Sequence, residues 1–435
     1  MMSVEGLWAR IAKLDTEIKA QRELLKQLER EKSQTQYELN MVQDPISRLP
    51  FEISSQIFIN TLNGFAQPGP ARIPTLFLSV CSSWSSIALG TPDLWSSIHI
   101  TFPCAGGFTE VLPIWLDRTR NRPLSIALEG IFEHDVTDII WQRAQRLEHL
   151  EIRLVEDPED YEWDYHHHDK VELWRRGVSP PGPFSSLKTF KMSDRHLSED
   201  SDVLRVSPTH VVQLLRLALN LTECVFDVQR TRFDTVLEPE EQVVLPNLRR
   251  LIFGDTDSPH GDDEIFAYLS LPKLEVLSMS LQGLNIRSLL STLTTQAPPL
   301  QELILGEAET IQINTLRKCF RDAPKLKRFE AWVTAKTVTP LLVTLLKRPS
   351  LLRRLATLVI HCRSISDVSL YEPLWTAILE LTTARRKKFK VFRVNLRGRG
   401  PPHENLPDEN TMAALRILAD AGMRIHITGV VEDVL

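Results

Sequence analysis

The sequence has few of the residues that build disulfide frameworks, metal centres or membrane anchors. Five cysteines are scattered along the chain with no C-x-x-C pair: Cys81, Cys104, Cys224, Cys319 and Cys362. Such thiols are typical of a reducing intracellular compartment and not of a disulfide framework or a zinc site. No apolar run is long enough to cross a membrane, and the first residues lack a signal core. We therefore expect cytoplasmic or nuclear localisation and no membrane partner.

Signatures of catalysis and of nucleic-acid binding are also missing. The chain contains no P-loop, no G-x-G-x-x-G, no H-E-x-x-H and no G-x-S-x-G motif. A net charge of −5 over 435 residues is small, which argues against a protein that coats nucleic acid. These observations predict a binding protein that is not an enzyme, with no cofactor, no metal and no nucleic-acid partner.

Residues 1–43 have the pattern of a long amphipathic helix. Apolar residues recur at alternating spacings of four and three, with gaps at Gln21, Lys32 and Thr35; they are Leu7, Ile11, Leu14, Ile18, Leu25, Leu28 and Leu39. Glu, Lys, Arg and Gln fill the positions between them, which favours helix and solvates the outer face. The pattern fits a dimerising coiled coil and a helix that folds back on its own chain equally well. Asp44-Pro45 ends the helix, because the residue before proline avoids helical angles.

Residues 44–93 contain two short helical blocks separated by a loop. Pro50 suits the first turn of a helix, and apolar residues follow it at helical spacing. Residues 63–72 hold two glycines and two prolines, which predict a loop. A second apolar run, which begins at residue 76, predicts another helix. A piece of this size buries a poor core alone, so a neighbour must cover part of its apolar surface.

These two blocks, DPISRLPFEISSQIF and LSVCSSWSSIALGTPDLW, resemble the F-box in the F-box-like variant of fungal proteins. The resemblance implies binding to the Skp-type adaptor of cullin–RING (SCF) ubiquitin ligases. By position it assigns the adaptor contacts to Pro50, Ile53, Ile57, Phe58, Val80, Cys81 and Trp84. We expect Ile53, Ile57 and Trp84 to be exposed in the isolated chain. The alternative is that these are ordinary core residues of an all-helical domain.

From residue 94 the pattern changes to short pieces of the form L-x-x-L-x-L. They start at Trp95, Leu147, Leu187, Leu221, Leu248, Leu274, Leu300, Leu326, Leu355 and Phe389. The four consecutive starts from Leu248 to Leu326 follow one another in steps of 26 residues. Predicted helices lie between the pieces, at 210–220, 286–295, 312–323, 337–347, 371–387 and 410–421. A fixed period of this length indicates a solenoid, and the form points to leucine-rich repeats. We predict an α/β fold with a parallel sheet inside and helices outside.

The repeats depart from the regular form. The Asn or Cys that usually follows the last leucine is replaced by Thr256, Gln282 and Ala308, which predicts an irregular solenoid over residues 94–435. An acidic loop insertion at 155–183 contains His166, His167 and His168. Consecutive histidines do not converge on a metal without further ligands, so a solvated loop is favoured.

A basic run at residues 385–388, followed by Lys390, Arg393, Arg397 and Arg399, offers a nucleic-acid or nuclear-localisation patch. Cations also favour the negative end of a helix, and closure of helix 371–387 is the favoured interpretation of this run.

These patterns and the resemblance together predict a substrate-recognition subunit of an SCF ubiquitin ligase, in which residues 44–93 bind the adaptor and the repeats bind a protein target. The alternative is a leucine-rich-repeat interaction scaffold without a ligase role. Because side chains alternate along a strand, residues beside the buried leucines should line the open face of the sheet. From these we predict a target patch centred on Arg328, Glu330, an exposed Trp332 and His361, with Arg393 beside them. The alternative is that Trp332 is incidental or packed under a loop.

Overall fold

The computed structural model describes most of the chain in two compact units. The described residues are 4–130, 132–153, 170–171, 182–193, 205–206, 208–227, 242–254, 266, 268–279, 286–306, 313–362, 368–396 and 407–428. The first unit comprises Met1–His99 and Val111–Arg122, and the second comprises Ile100–Glu110 and Pro123–Leu435. No described helix has the length and apolar character that crossing a membrane requires.

The first unit begins with one uninterrupted helix of 40 residues, α1 (Val4–Gln43), as predicted. The seven apolar residues of its predicted seam are 44–57% exposed, so no other described segment buries them. The helix ends before Pro45, where the backbone turns and the Ile46 N–H donates to Asp44 Oδ1 over 2.9 Å. In the part of the chain that the structure describes, α1 is therefore a continuous helix with an exposed apolar seam.

Three further helices of this unit surround an aromatic cluster. They are α2 (Phe51–Asn60), α3 (Phe77–Val80) and α4 (Ser82–Gly90), and Pro50 stands directly before the first turn of α2. Phe58 stacks on Phe77 with ring centroids 4.2 Å apart, and Trp84 lies 5.0 Å from Phe58. This contact ties α2, α3 and α4 together with three large side chains, which suits a domain too small for an extended core.

The remaining regular elements build a parallel sheet with connecting helices. The strands are β1 (Ser97–Thr101), β2 (Leu124–Glu129), β3 (Leu147–Arg153), β4 (Lys170–Val171), β5 (Thr189–Ser193), β6 (Arg205–Val206), β7 (Glu223–Asp227), β8 (Val243–Val244), β9 (Arg250–Phe253), β10 (Leu269–Ser270), β11 (Val276–Met279), β12 (Glu302–Leu305), β13 (Arg328–Val333), β14 (Thr357–Cys362), β15 (Val391–Leu396) and β16 (Arg424–Thr428). The helices are α5 (Phe108–Arg118), α6 (His134–Trp141), α7 (Pro208–Leu217), α8 (Ile286–Gln296), α9 (Ile313–Asp322), α10 (Ala335–Lys347), α11 (Tyr371–Ala384) and α12 (Glu409–Asp420).

Among the described residues, twelve strands form one parallel sheet in the order β1-β2-β3-β5-β7-β9-β11-β12-β13-β14-β15-β16. The short strands pair separately, β4 with β6 and β8 with β10. All ten predicted L-x-x-L-x-L pieces contribute strands to the large sheet, and the six predicted helices coincide with α7 to α12 within a few residues. The mixed α/β class is confirmed, and a sheet that adds its strands in chain order is compatible with a solenoid.

The 26-residue period is visible as strand register. Leu251, Leu277, Leu303 and Phe329 are direct neighbours on β9, β11, β12 and β13 and are fully buried. Helix α9 buries Leu316, Cys319 and Phe320 at spacings of three and one. The Phe320 ring meets the Phe329 ring edge-on at 4.8 Å, which fixes this helix against its strand.

Two strands of the sheet are absent from the predicted set, and several predicted features lie outside the described residues. The two unpredicted strands are β2 and β16, which have no leucine three residues before their first central buried residue, Ile126 or Ile425. Most of the insertion at 155–183 is not described, including its three histidines, and neither are Thr256, Gln282 and Ala308.

Candidate functional site

The first candidate site is an exposed apolar surface on the helices around the aromatic cluster. Ile53 and Ile57 on α2 are 50% and 38% exposed, and Val80 at the end of α3 is 51% exposed. Leu76, one residue before α3, is 40% exposed. Ile57 and Leu76 are each next in sequence to Phe58 and Phe77, which stack on one another. Apolar residues therefore face solvent beside a well-packed core, which is typical of a binding surface.

Two of the residues predicted to contact an adaptor have a different role. Phe58 is 1% exposed, so the prediction that it faces a partner is wrong; it fills the centre of the aromatic cluster. Trp84 is half-buried and not exposed as predicted. Its indole Nε1 donates a 2.7 Å hydrogen bond to Asp44 Oδ2. Trp84 therefore joins α4 to the residue that ends α1.

The other predicted adaptor residues are accessible. Pro50 is exposed, and Cys81 is half-buried, with its Sγ 3.9 Å from Asp44 Oδ2. A groove runs beside α2 and is lined by Phe51, Glu52, Ser55 and Ile59 together with residues 90–93 and 120–122. An ion pair between Arg122 Nε and Asp93 Oδ1, 3.1 Å apart, stands in its wall. The surface therefore offers both projecting apolar residues and a concave edge.

The second candidate site is the open side of the sheet in the second unit. Strand register places Arg328, Glu330 and Trp332 of β13 beside Thr357, Val359 and His361 of β14. Arg393 and Asn395 of β15 continue the same rows, and so do His426 and Thr428 of β16. Predicted residues 29 to 65 positions apart in sequence therefore do lie together on one side of the sheet.

A chain of hydrogen bonds crosses four strands on this side. Arg328 Nη2 donates to Glu330 Oε2 over 2.6 Å, and Glu330 Oε1 lies 2.9 Å from His361 Nε2. Asn395 Nδ2 lies 2.9 Å from His361 Nδ1, while the Thr428 hydroxyl donates to Asn395 Oδ1 over 2.6 Å. The hydroxyl fixes the orientation of the amide, so Nδ1 accepts and the proton on Nε2 points to the carboxylate.

Glu330 is held in its charged form by this network. Burial alone would raise the pKa of the Glu330 carboxyl, but hydrogen bonds with His361 and Arg328 together lower it below its usual value. His361 uses one ring nitrogen on Glu330 and the other on Asn395. Through these two contacts His361 joins β14 to both neighbouring strands.

The prediction that Trp332 is an exposed binding residue is wrong. It lies in the row of open-face positions, yet it is only 4% exposed. Its ring stacks flat on the His361 imidazole, with centroids 4.1 Å apart and planes 13° apart. Arg328, whose side chain is 42% exposed, and Arg393, which is exposed, are the members of the predicted patch that solvent reaches well.

A second charged cluster, not predicted from the sequence, lies on β2, β3 and β5. Glu151 is 6% exposed and lies within 2.9 Å of Arg153 Nε and 3.3 Å of Lys191 Nζ. Contact with His149, and then with Arg153 and Lys191, holds the pKa of the Glu151 carboxyl far below its usual value against the opposing effect of burial. Register could have revealed the cluster, because Glu151 and Lys191 are direct neighbours on adjacent strands.

The basic run at 385–388 does not form a continuous cationic surface. Arg385 is 6% exposed, and its guanidinium donates to the carbonyls of Leu345, Leu351 and Leu352. It was predicted to close its own helix, but it caps the end of the neighbouring α10 and the turn that follows. Burial lowers the pKa of Arg385. The basic residues at 397 and 399 lie outside the described residues.

In the part of the chain that the structure describes, no three His, Cys, Asp or Glu side chains are placed to hold a metal ion. Comparison of the chain with models of known protein families and with curated proteins gave no match.

Proposed function

We propose that this chain is a target-recruiting subunit of an SCF-type ubiquitin ligase, in which residues 44–93 bind a Skp-type adaptor. The observation that carries the proposal is the exposure of Ile53, Ile57 and Val80 beside a buried aromatic cluster. The unit buries only part of these side chains in its own fold, and a partner would gain the burial of the rest. The F-box resemblance of the same two segments supports the adaptor as that partner.

The open side of the sheet is the proposed target surface. It combines the accessible cations Arg328 and Arg393 with half-buried aliphatic residues at Val225, Ile252 and Ile304. Such a mixture of apolar area and arginine is typical of protein-binding surfaces. The subunit would contribute proximity between target and ligase, and other subunits would supply the ubiquitin chemistry.

The adaptor contact is tested by titrating the full chain with purified Skp-type adaptor. Ile57→Asp should weaken binding about 100-fold, because it places a charge in an apolar contact. Ile114→Asp is the matched control: Ile114 on α5 belongs to the same unit, is 55% exposed and lies outside the predicted adaptor residues. It should leave the affinity within about threefold of the unmodified chain.

The two competing roles give different results in this assay. A well-folded chain that shows no adaptor binding at micromolar concentration would refute the ligase proposal and favour the repeat scaffold. Thermal melting accompanies each titration. If Ile57→Asp removed the thermal transition, Ile57 would be part of the core and the proposed surface would be wrong.

A further inference from the structure

Helix α1 carries an apolar seam that needs a partner. Its 40 residues span about 60 Å, at about 1.5 Å per residue. The helix owes little stability to itself, because helices in proteins are stabilised chiefly by packing of their apolar face. The seven apolar residues predicted for that seam are 44–57% exposed. The partner must therefore offer a seam of similar length.

The seam has the composition of a two-stranded parallel coiled coil. Its alternating spacings assign heptad position a to Val4, Ile11, Ile18, Leu25, Lys32 and Leu39. Position d is then occupied by Leu7, Leu14, Gln21, Leu28 and Thr35. In the first three heptads β-branched residues occupy a and leucine occupies two of the d positions, a distribution that favours parallel dimers. Lys32 at a is a polar core residue of the kind that fixes register and strand number.

The charges beside the seam complement a second copy of the same helix. In a parallel pair in register, a g residue faces the e residue five positions later on the other helix. Arg10 at g would then face Asp15, and Glu17 at g would face Arg22, each contact occurring twice by symmetry. Within the described residues, these four side chains form no ion pair in their own chain, whereas Glu23 and Lys26 on the outer face pair at 3.2 Å.

An antiparallel pair of the same helices is disfavoured by charge. Full overlap of the apolar positions would oppose Glu17 with Glu31, Asp15 with Glu29, and Arg22 with itself. It would also place Lys32 against Leu14 and Gln21 against Leu25. Like charges and mismatched core residues are the usual means by which a coiled coil rejects a wrong partner or orientation.

We propose that α1 forms a parallel two-stranded coiled coil with a second copy of this chain, with its register set by Arg10, Asp15, Glu17 and Arg22. The proposal does not depend on adaptor binding, because α1 lies outside residues 44–93. It implies that each assembly carries two adaptor surfaces and two sheet faces.

The first test is the mass of the full chain in solution by sedimentation over a range of concentrations. The unmodified chain should have twice its 49.8 kDa mass at micromolar concentration. Ile18→Asp should weaken self-association about 100-fold, because it places a charge at a core position. Ala20→Asp, two residues away on the outer face, introduces the same residue and should leave association unchanged. A monomeric unmodified chain, a trimer, or equal effects of the two variants would overturn the proposal.

The second test determines orientation. Glu17→Arg should weaken a parallel dimer and strengthen an antiparallel one, and adding Arg22→Glu should restore the parallel dimer. Leu7→Cys should form a disulfide-linked dimer on mild oxidation, because the two copies of residue 7 are neighbours only in the parallel pair. In the antiparallel pair they would lie about 48 Å apart. The unmodified chain, treated in the same way, controls for the five native cysteines. A strengthened Glu17→Arg dimer, or no cross-link at residue 7, would refute the parallel arrangement.

Discussion

The clearest energetic prediction concerns Arg385, a buried cation with three backbone acceptors. Its Nη2 donates to the Leu345 carbonyl over 2.8 Å and to the Leu351 carbonyl over 3.1 Å, and its Nη1 donates to Leu352 over 3.3 Å. Leu352 also accepts from the Leu355 N–H, so it keeps one partner when the side chain is removed. Most of the stability lost in Arg385→Ala should therefore come from the carbonyls of Leu345 and Leu351, the acceptors near the end of α10.

The expected loss follows from those two carbonyls and from packing. Each buried acceptor that loses its partner costs about 1–2 kcal/mol. The contact of the guanidinium with the Phe389 ring, 5.9 Å away, adds about 0.5 kcal/mol. We expect Arg385→Ala to lower the free energy of unfolding by about 3–4 kcal/mol. Arg385→Lys should lose roughly half as much, because one ammonium cannot reach three carbonyls in the geometry of the guanidinium fork.

Urea denaturation of the full chain, followed by circular dichroism, measures this loss. Arg386→Ala is the matched control, because Arg386 is the next residue, carries the same charge and is exposed. It should change the free energy of unfolding by less than about 0.5 kcal/mol. If the two alanine variants had equal midpoints, Arg385 would not cap α10, and the nucleic-acid interpretation of residues 385–388 would regain support.

Two further predictions concern the sheet. Because the pKa of Glu151 is lowered by folding, its stabilising effect is complete above the unfolded pKa of about 4.3 and is lost as pH falls below it. Glu151→Gln should therefore lower the free energy of unfolding by roughly 2 kcal/mol at pH 7. It should also make stability depend less on pH between about pH 5 and pH 3, as measured by urea midpoints. An unchanged pH dependence would contradict the assigned ion pairs. Trp332→Ala should lower the free energy of unfolding by about 3–5 kcal/mol, because it truncates a buried side chain. Arg393→Glu should instead keep the melting temperature and adaptor binding and lose target binding, as measured by pull-down with purified adaptor as internal control. The reverse pattern would show that Trp332 is a surface residue.

Periodic features of the fold were predictable from sequence, because they depend on spacing within the chain. Leu251, Leu277, Leu303 and Phe329 are 26 residues apart, and a parallel sheet turns that spacing into direct contact. Strand β2 was not predicted, because Pro123 occupies the position of the first leucine of the L-x-x-L-x-L form. At β16 the same position holds Gly422.

The surface assignments were harder, because they depend on which neighbours meet. Alternation along β13 places Trp332 on the open side, and only the pairing of β13 with β14 brings His361 over its ring. Phe58 is adjacent to the exposed Ile57, and its burial depends on Phe77, which lies beyond the loop. Arg385 reaches carbonyls 33 to 40 residues earlier, a contact that no local pattern encodes.

The uniform step between β9 and β13 has a consequence for how the chain can change in length. Each 26-residue unit adds one strand to the sheet and therefore about 4.8 Å to its open side. Duplication or deletion of one whole unit would preserve the alignment of every remaining neighbour, because each unit packs mainly on the two beside it. The length of the open side can thus be adjusted in discrete increments, and related chains with different numbers of units would match partners of different width.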